Sequence, residues 1–291
     1  MRKIFLLLMI LTLLITGCSK QQADDGKLQV TSSFYPMAEF ARAVGGDKVQ
    51  VTTLVPDGAE PHDWEPSPRD LTKIGRSRIF IYNGIVEPWA EQALEALSER
   101  QLVAVEAGRD LYNREGKADP HVWISPRKAI IEVQHITDAL CAADEANASY
   151  YRKNSADYIA RLQKLDGELA QVAADAPKKV FVTAHAAFGH LASDYGLTQL
   201  AVKGMSTESE PTPSDLQQLV RIVRREGVRY IFFETLTDPK IAWIIADETG
   251  AQTAVLDPLE GLNAEGRRQG LNYLTIMQRN IDNLNRALND K

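Results

Sequence analysis

Beyond residue 27 the chain alternates strand-like and helix-like runs, and it does so twice, on either side of one long helical stripe. In the first half, runs rich in β-branched and aromatic residues occupy 28–35, 49–56, 78–84 and 102–108. Helical patterns follow at 36–44, 68–76, 88–100 and 126–143. The second half repeats the scheme, with strand-like runs at 179–185, 198–205, 230–235 and 253–259 and helical patterns at 187–195, 213–226, 239–249 and 266–288. Strands alternating with helices predict parallel sheets covered by helices, an α/β fold built as two (β/α)4 lobes. Between them, over 144–174, Tyr151, Ser155, Tyr158, Leu162, Leu165, Leu169 and Val172 recur in steps of four and three. That spacing keeps one stripe on one face of a helix. Gly167 is its weak position and Pro177 stops it. At about 1.5 Å per residue the helix would reach roughly 46 Å, enough to lie along both lobes. The alternative is a helix buried in the second lobe alone. The expected organisation is a leader over 1–17, a tether over 18–27, lobes over 28–143 and 175–291, and the bridging helix over 144–174.

The leader is read from charge and apolar length. Arg2 and Lys3 precede an apolar run over 4–15 that only Thr12 interrupts. This is shorter than the 20 or so residues a bilayer span needs and has the form of a secretory signal peptide. It ends in Leu14-Ile15-Thr16-Gly17-Cys18, which resembles the lipobox of bacterial lipoproteins. The resemblance implies cleavage before Cys18, a lipid on that cysteine and export to the outer face of a membrane, in the periplasm or at the cell surface. An ordinary signal peptide with a chance cysteine is the alternative. The segment 19–27 is polar and reads as a tether. Of the two cysteines, the other, Cys141, lies in an apolar-periodic stretch and is expected in the core, unpaired. With 291 residues, 44% hydrophobic and 25% charged, the chain is ordinary globular protein of about two domains. A net charge of −6 argues against nucleic acid as a partner.

Two short segments echo one another. Pro61-His62-Asp63-Trp64-Glu65-Pro66-Ser67-Pro68-Arg69 is matched by Pro120-His121-Val122-Trp123-Ile124-Ser125-Pro126-Arg127. In each, Ser-Pro marks a helix start, with Ser at the N-cap and Pro at the first helical position. Each histidine thus sits in a short loop just before a capped helix. The chain has five histidines, so each can be weighed. His185 closes the apolar run Val180-Phe181-Val182-Thr183-Ala184, and Asp257 follows Ala254-Val255-Leu256. Ligands of open parallel sheets bind beyond the carboxyl ends of strands. If the lobes face each other, His62 and His121 can meet His185 and Asp257 across the cleft between them. Three imidazoles and a carboxylate form a tetrahedral set suited to Zn2+. His135 lies mid-helix and His190 is five residues past His185, off its helical face, so neither is expected to bind metal. Glu234, at another strand edge, is the chief rival to Asp257. Glu60 and Glu208 are further carboxylates placed to contact a ligand histidine or replace one.

The tract Thr31-Ser32-Ser33-Phe34-Tyr35-Pro36, the segment from Gly58 to Ser67, Asp119-Pro120-His121-Val122-Trp123 and Leu256-Asp257-Pro258-Leu259 together resemble the zinc/manganese-binding solute receptors of bacterial ABC importers. The resemblance covers essentially all of the chain after the leader. It implies two α/β lobes bridged by a long rigid helix and one metal ion in the cleft. It also implies handover to a membrane permease, no enzymatic activity, and a monomer. Carried over by motif position, its ligands are His62, His121, His185 and Asp257. Manganese receptors of this kind typically carry Glu where this chain has His185. Imidazole suits zinc and oxygen donors suit manganese, so zinc is the expected cargo and Mn2+ the alternative. The stretch 110–119 holds no histidine, a departure from the His-rich loop of many zinc receptors. A secreted zinc hydrolase and a metal-stabilised surface adhesin are the readings from other classes. The hydrolase lacks a His-Glu-x-x-His helix, and a fourth protein ligand would leave no position for a reactive water.

Overall fold

The computed structural model describes residues 26–112, 118–202 and 212–289. Cys18 and Glu208 lie outside the described residues. The first lobe contains β1 (Leu28–Ser32), α1 (Tyr35–Gly45), β2 (Val49–Thr53), α2 (Pro68–Arg76), β3 (Ile79–Tyr82), α3 (Ala90–Ala96), β4 (Val103–Glu106) and α4 (Pro126–Ala143). A single helix, α5 (Ala148–Asp175), leads to β5 (Val180–Thr183), α6 (Gly189–Tyr195), β6 (Thr198–Ala201), α7 (Pro213–Glu226), β7 (Tyr230–Phe233), α8 (Lys240–Thr249), β8 (Gln252–Val255), α9 (Ala264–Arg268) and α10 (Tyr273–Asn289).

Both sheets are parallel, and they share one order, β2-β1-β3-β4 and β6-β5-β7-β8. The central strands β3, β5 and β7 read as near-continuous apolar runs, as strands covered by helices on both faces do. All four residues of β3, Ile-Phe-Ile-Tyr, are buried. In each sheet the chain reverses its winding between the first and third strands, β1/β3 and β5/β7, which opens a crevice at their carboxyl ends. The two crevices and their flanking loops form the facing walls of the cleft.

The helix α5 buries Tyr151, Ser155, Tyr158, Leu162, Leu165, Leu169 and Ala173. This is the expected stripe, with Ala173 taking the last position in place of the half-buried Val172. Its 28 residues span about 42 Å. It packs on α1 and α4 of the first lobe and on α10 of the second, inside one hydrophobic core that runs through both lobes. The helix begins later than the stripe suggests. Asp144 is non-helical at φ −144° and ψ 74°, its carboxylate accepts from the Tyr151 hydroxyl at 2.7 Å, and a short 3-10 turn follows. The expected last helix is two helices. Gly270, at φ +64°, turns the chain between α9 and α10, and the Asn272 side chain accepts from the Thr275 amide. Cys141 is buried and unpaired, as expected.

Buried polar bonds tie the lobes beside the cleft. The Trp123 indole donates to the Pro258 carbonyl at 2.8 Å, and the Tyr273 hydroxyl to the Trp123 carbonyl at 2.5 Å. Arg127 and Lys128 at the start of α4 reach Asp194 of α6. Ser67 caps α2 in a full capping box with Asp70. Ser125, the expected cap of α4, instead donates its hydroxyl to Asp194 at 2.5 Å.

Candidate metal centre

His62 sits in the loop after β2, His121 in the loop after β4, His185 two residues past β5 and Glu260 in the turn after β8. Four loops from two sheets therefore supply one centre. The His62 Nε2 lies 3.0 Å from the His121 Nε2 and 3.2 Å from a Glu260 oxygen. That same Oε1 is 3.3 Å from the His121 Nε2 and 3.7 Å from the His185 Nε2. A tetrahedral zinc ion with bonds of about 2.0 Å needs donor atoms about 3.3 Å apart. Among the described residues, His62, His121 and Glu260 are the group whose donor atoms all lie within 4.8 Å of one another. The His185 Nε2 is buried with no hydrogen-bond partner among the described residues, the state of a donor atom reserved for an ion.

The remaining ring nitrogens fix the tautomers. The His121 Nδ1–H donates to Asp119 Oδ1 at 2.7 Å, and the His185 Nδ1–H donates to Glu234 Oε1 at 2.5 Å. Each leaves its Nε2 lone pair facing the centre, as metal-bound imidazoles require. The His62 and His121 Nε2 atoms stand 3.0 Å apart beside the Glu260 carboxylate, and two lone pairs held that close repel unless a cation stands between them. In the metal-free protein protons fill that role. Burial alone would lower His121, but the Asp119 and Glu260 carboxylates outweigh it and raise its pKa to about 9. His185 is raised in the same way, burial being overcome by Glu234 and then Glu260. Burial would raise Glu260; its hydrogen bonds to His121 and His62 hold it well below the usual carboxylate range instead.

Of the expected histidines, His62 and His121 lie together at Glu260, and the His185 Nε2 approaches the same oxygen at 3.7 Å from outside that tighter group. Asp257 does not join them. Its carboxylate accepts from the Leu259 amide at 2.8 Å and from the Thr235 hydroxyl at 2.7 Å. Its own amide donates to Asn280 at 2.9 Å. These bonds pin a turn in which Leu259 takes φ +60°, and the turn aims Glu260 into the cleft. Asp257 shapes the loop, and the carboxylate three residues on is the one that reaches the centre. Glu234 contacts His185 rather than the shared donor cluster. Glu60 accepts from the His62 amide at 3.4 Å, and burial, then Glu260, raise it to about 7. His135 donates to the Ala107 carbonyl and His190 to the Asp119 carbonyl, so both stand outside the cluster. Glu260 is the carboxylate of this cluster that the sequence reading missed. Its one local signal is a Gly directly after it, in a loop that opens with Asp-Pro.

Known proteins share this fold across both lobes. The family described as zinc-uptake complex component A, periplasmic (ZnuA), matches residues 30–287. The high-affinity zinc uptake system protein ZnuA of Bacillus subtilis is 39% identical over 95% of this chain and 94% of its own length. The zinc-binding lipoprotein AdcA of Streptococcus pneumoniae is 38% identical over 97% of this chain, which spans 60% of that longer protein. The crystal structure of the Zn(II)-bound ZnuA-like domain of the pneumococcal AdcA superposes with a TM-score of 0.83 at 38% identity, covering 91% of this chain and 100% of that one. The laminin-binding protein Lmb of Streptococcus agalactiae, described as bifunctional with adhesin and metal-transporting activity, superposes at 0.81 with 32% identity over 90% of this chain and 99% of its own. A match across both lobes and the bridging helix places this chain in the ZnuA family of zinc-uptake receptors.

Proposed function

We propose that this protein captures Zn2+ outside the cytoplasm, between its two lobes, and delivers it to the permease of an ABC importer. His62, His121, His185 and Glu260 would hold the ion. The observation that carries the reading is the convergence of three imidazole Nε2 atoms on one carboxylate oxygen, at 3.2 to 3.7 Å. Three nitrogen donors favour zinc over manganese, which prefers oxygen. Four protein ligands complete zinc's tetrahedron, so no open position remains for a water to become a nucleophile, and the protein is a receptor rather than a hydrolase. Cys18, after its leucine-rich leader, would carry the lipid that keeps a monomeric receptor at the membrane surface. Adhesion is a second reading, favoured by the likeness to Lmb, and is compatible with zinc capture.

The test is zinc uptake by a bacterial strain lacking its own receptor. The wild-type protein is expected to restore growth in chelator-treated medium, and His121→Ala is not. Cys18→Ala should release the mature protein from the membrane fraction. Equal growth with wild type and His121→Ala would contradict the assignment of the site, and a Cys18→Ala protein that stays with the membrane after its leader has been fully cleaved would contradict the anchor.

A further inference from the structure

The helix α6 belongs by sequence to the second lobe, yet it grips both ends of the first-lobe segment that carries His121. At the upstream end, the His190 Nε2–H donates to the Asp119 carbonyl at 2.9 Å. The Asp119 carboxylate in turn accepts from His121 twice, from the backbone amide at 3.0 Å and from Nδ1–H at 2.7 Å. Gly189 lies so close beneath that carboxylate that a Cβ there would stand 2.6 Å from the Asp119 Oδ2. At the downstream end, Asp194 accepts from the Ser125 hydroxyl at 2.5 Å and from the Lys128 ammonium at 2.5 and 2.6 Å. His121 is wholly buried between these two ties.

We propose that α6 positions His121 for the metal, with His190 holding Asp119 and Asp194 holding Ser125, so that a first-lobe ligand is oriented by the second lobe. This rests on the reading of His121 as a zinc ligand. The chemistry requires such a device. An imidazole ligand binds well only when its second nitrogen is held and its ring plane is fixed. Asp119 supplies the hydrogen bond, but a carboxylate in a loop orients nothing unless its own backbone is anchored. His190 anchors the backbone, Gly189 leaves room for the carboxylate, and Asp194 fixes the chain four residues beyond His121. His121 and His185 then keep one separation although they come from different sheets. His190 and Asp194 touch no ion and act only through the segment they hold.

The full mature protein is compared as wild type, His190→Leu, His190→Gln, Gly189→Ala and His121→Ala. Three quantities are measured: zinc affinity by chelator competition, the visible spectrum of the Co2+-loaded protein, and the melting temperature of the metal-free protein. His190→Leu is expected to weaken zinc about tenfold, in the range typical for partners behind a metal ligand, and to shift the cobalt bands. His190→Gln keeps an N–H able to reach the Asp119 carbonyl and should recover most of the loss. Gly189→Ala favours the helix but crowds Asp119, so it should weaken zinc without lowering the metal-free melting temperature. Wild-type zinc affinity in His121→Ala would overturn the ligand reading and the proposal with it. A weakened His121→Ala beside wild-type affinity and spectra in His190→Leu and Gly189→Ala would overturn the positioning role alone. So would a loss in His190→Leu that only tracks its melting temperature and that Gln does not restore.

Discussion

At the scale of single residues, the centre is a contest between metal and protons. An imidazole must be neutral to bind zinc. His121, raised to about 9, carries a proton at pH 7 that a zinc ion bound there would have to displace. Apparent affinity is therefore expected to rise about tenfold per pH unit between pH 7 and 9 from His121 alone, with His185, also raised, adding to the slope. Loading in weakly buffered solution at pH 7 should acidify it by at least one proton per zinc. Chelator competition across that range, with pH-stat titration, checks both, and a flat affinity profile would contradict the account. Stability of the metal-free protein moves the opposite way. Its His121 pKa lies above the unfolded value of about 6.5. That contribution is complete below about pH 6.5 and is lost as pH rises through about 9.

Among elements, α4 carries an unusual burden. Glu132, in its middle, is fully buried, accepts from the Asn83 side chain at 3.1 Å, and is pushed up to about 8 by burial and then by Glu87. A carboxyl raised above its unfolded value stabilises the fold below that unfolded value, near 4.5, and loses its contribution as pH rises through the folded one. Glu132→Gln keeps the shape and cannot ionise. It should stabilise the protein by about 4 kcal/mol at pH 8 and by almost nothing at pH 4, as chemical denaturation at the two values would show. A gain independent of pH would mean that Glu132 is ionised in the fold. The elements themselves were largely legible. Runs rich in β-branched and aromatic residues marked the strands, Ser-Pro pairs marked the starts of α2 and α4, and alternating steps of four and three marked α5. The Gly270 turn splitting the last helix was a local signal passed over. The carboxylate of the candidate centre was not legible in the same way. The strand-edge rule selects Asp257, while the turn that presents Glu260 depends on Thr235 and Asn280, both distant in sequence. The use of Ser125 and His190 across the lobes is likewise a tertiary contact that no local pattern encodes.

For the molecule as a whole, the bridging helix and the shared core set how far the lobes can part. A hinge of loose crossing strands permits wide closure around a ligand. Here one helix of 28 residues packs on both lobes, with Leu162, Leu165 and Leu169 almost wholly buried. Small-angle scattering curves of metal-free and zinc-loaded protein should superimpose, and a marked fall in radius of gyration on loading would contradict a rigid bridge. The candidate centre also draws on both lobes, since His62 and His121 come from loops of one sheet and His185 and Glu260 from loops of the other. The most direct test is the zinc affinity of Glu260→Gln, measured by chelator competition beside wild type. The account predicts a loss of at least a hundredfold, because the shared oxygen that all three imidazoles approach is replaced by a neutral amide. Wild-type affinity in Glu260→Gln would contradict it.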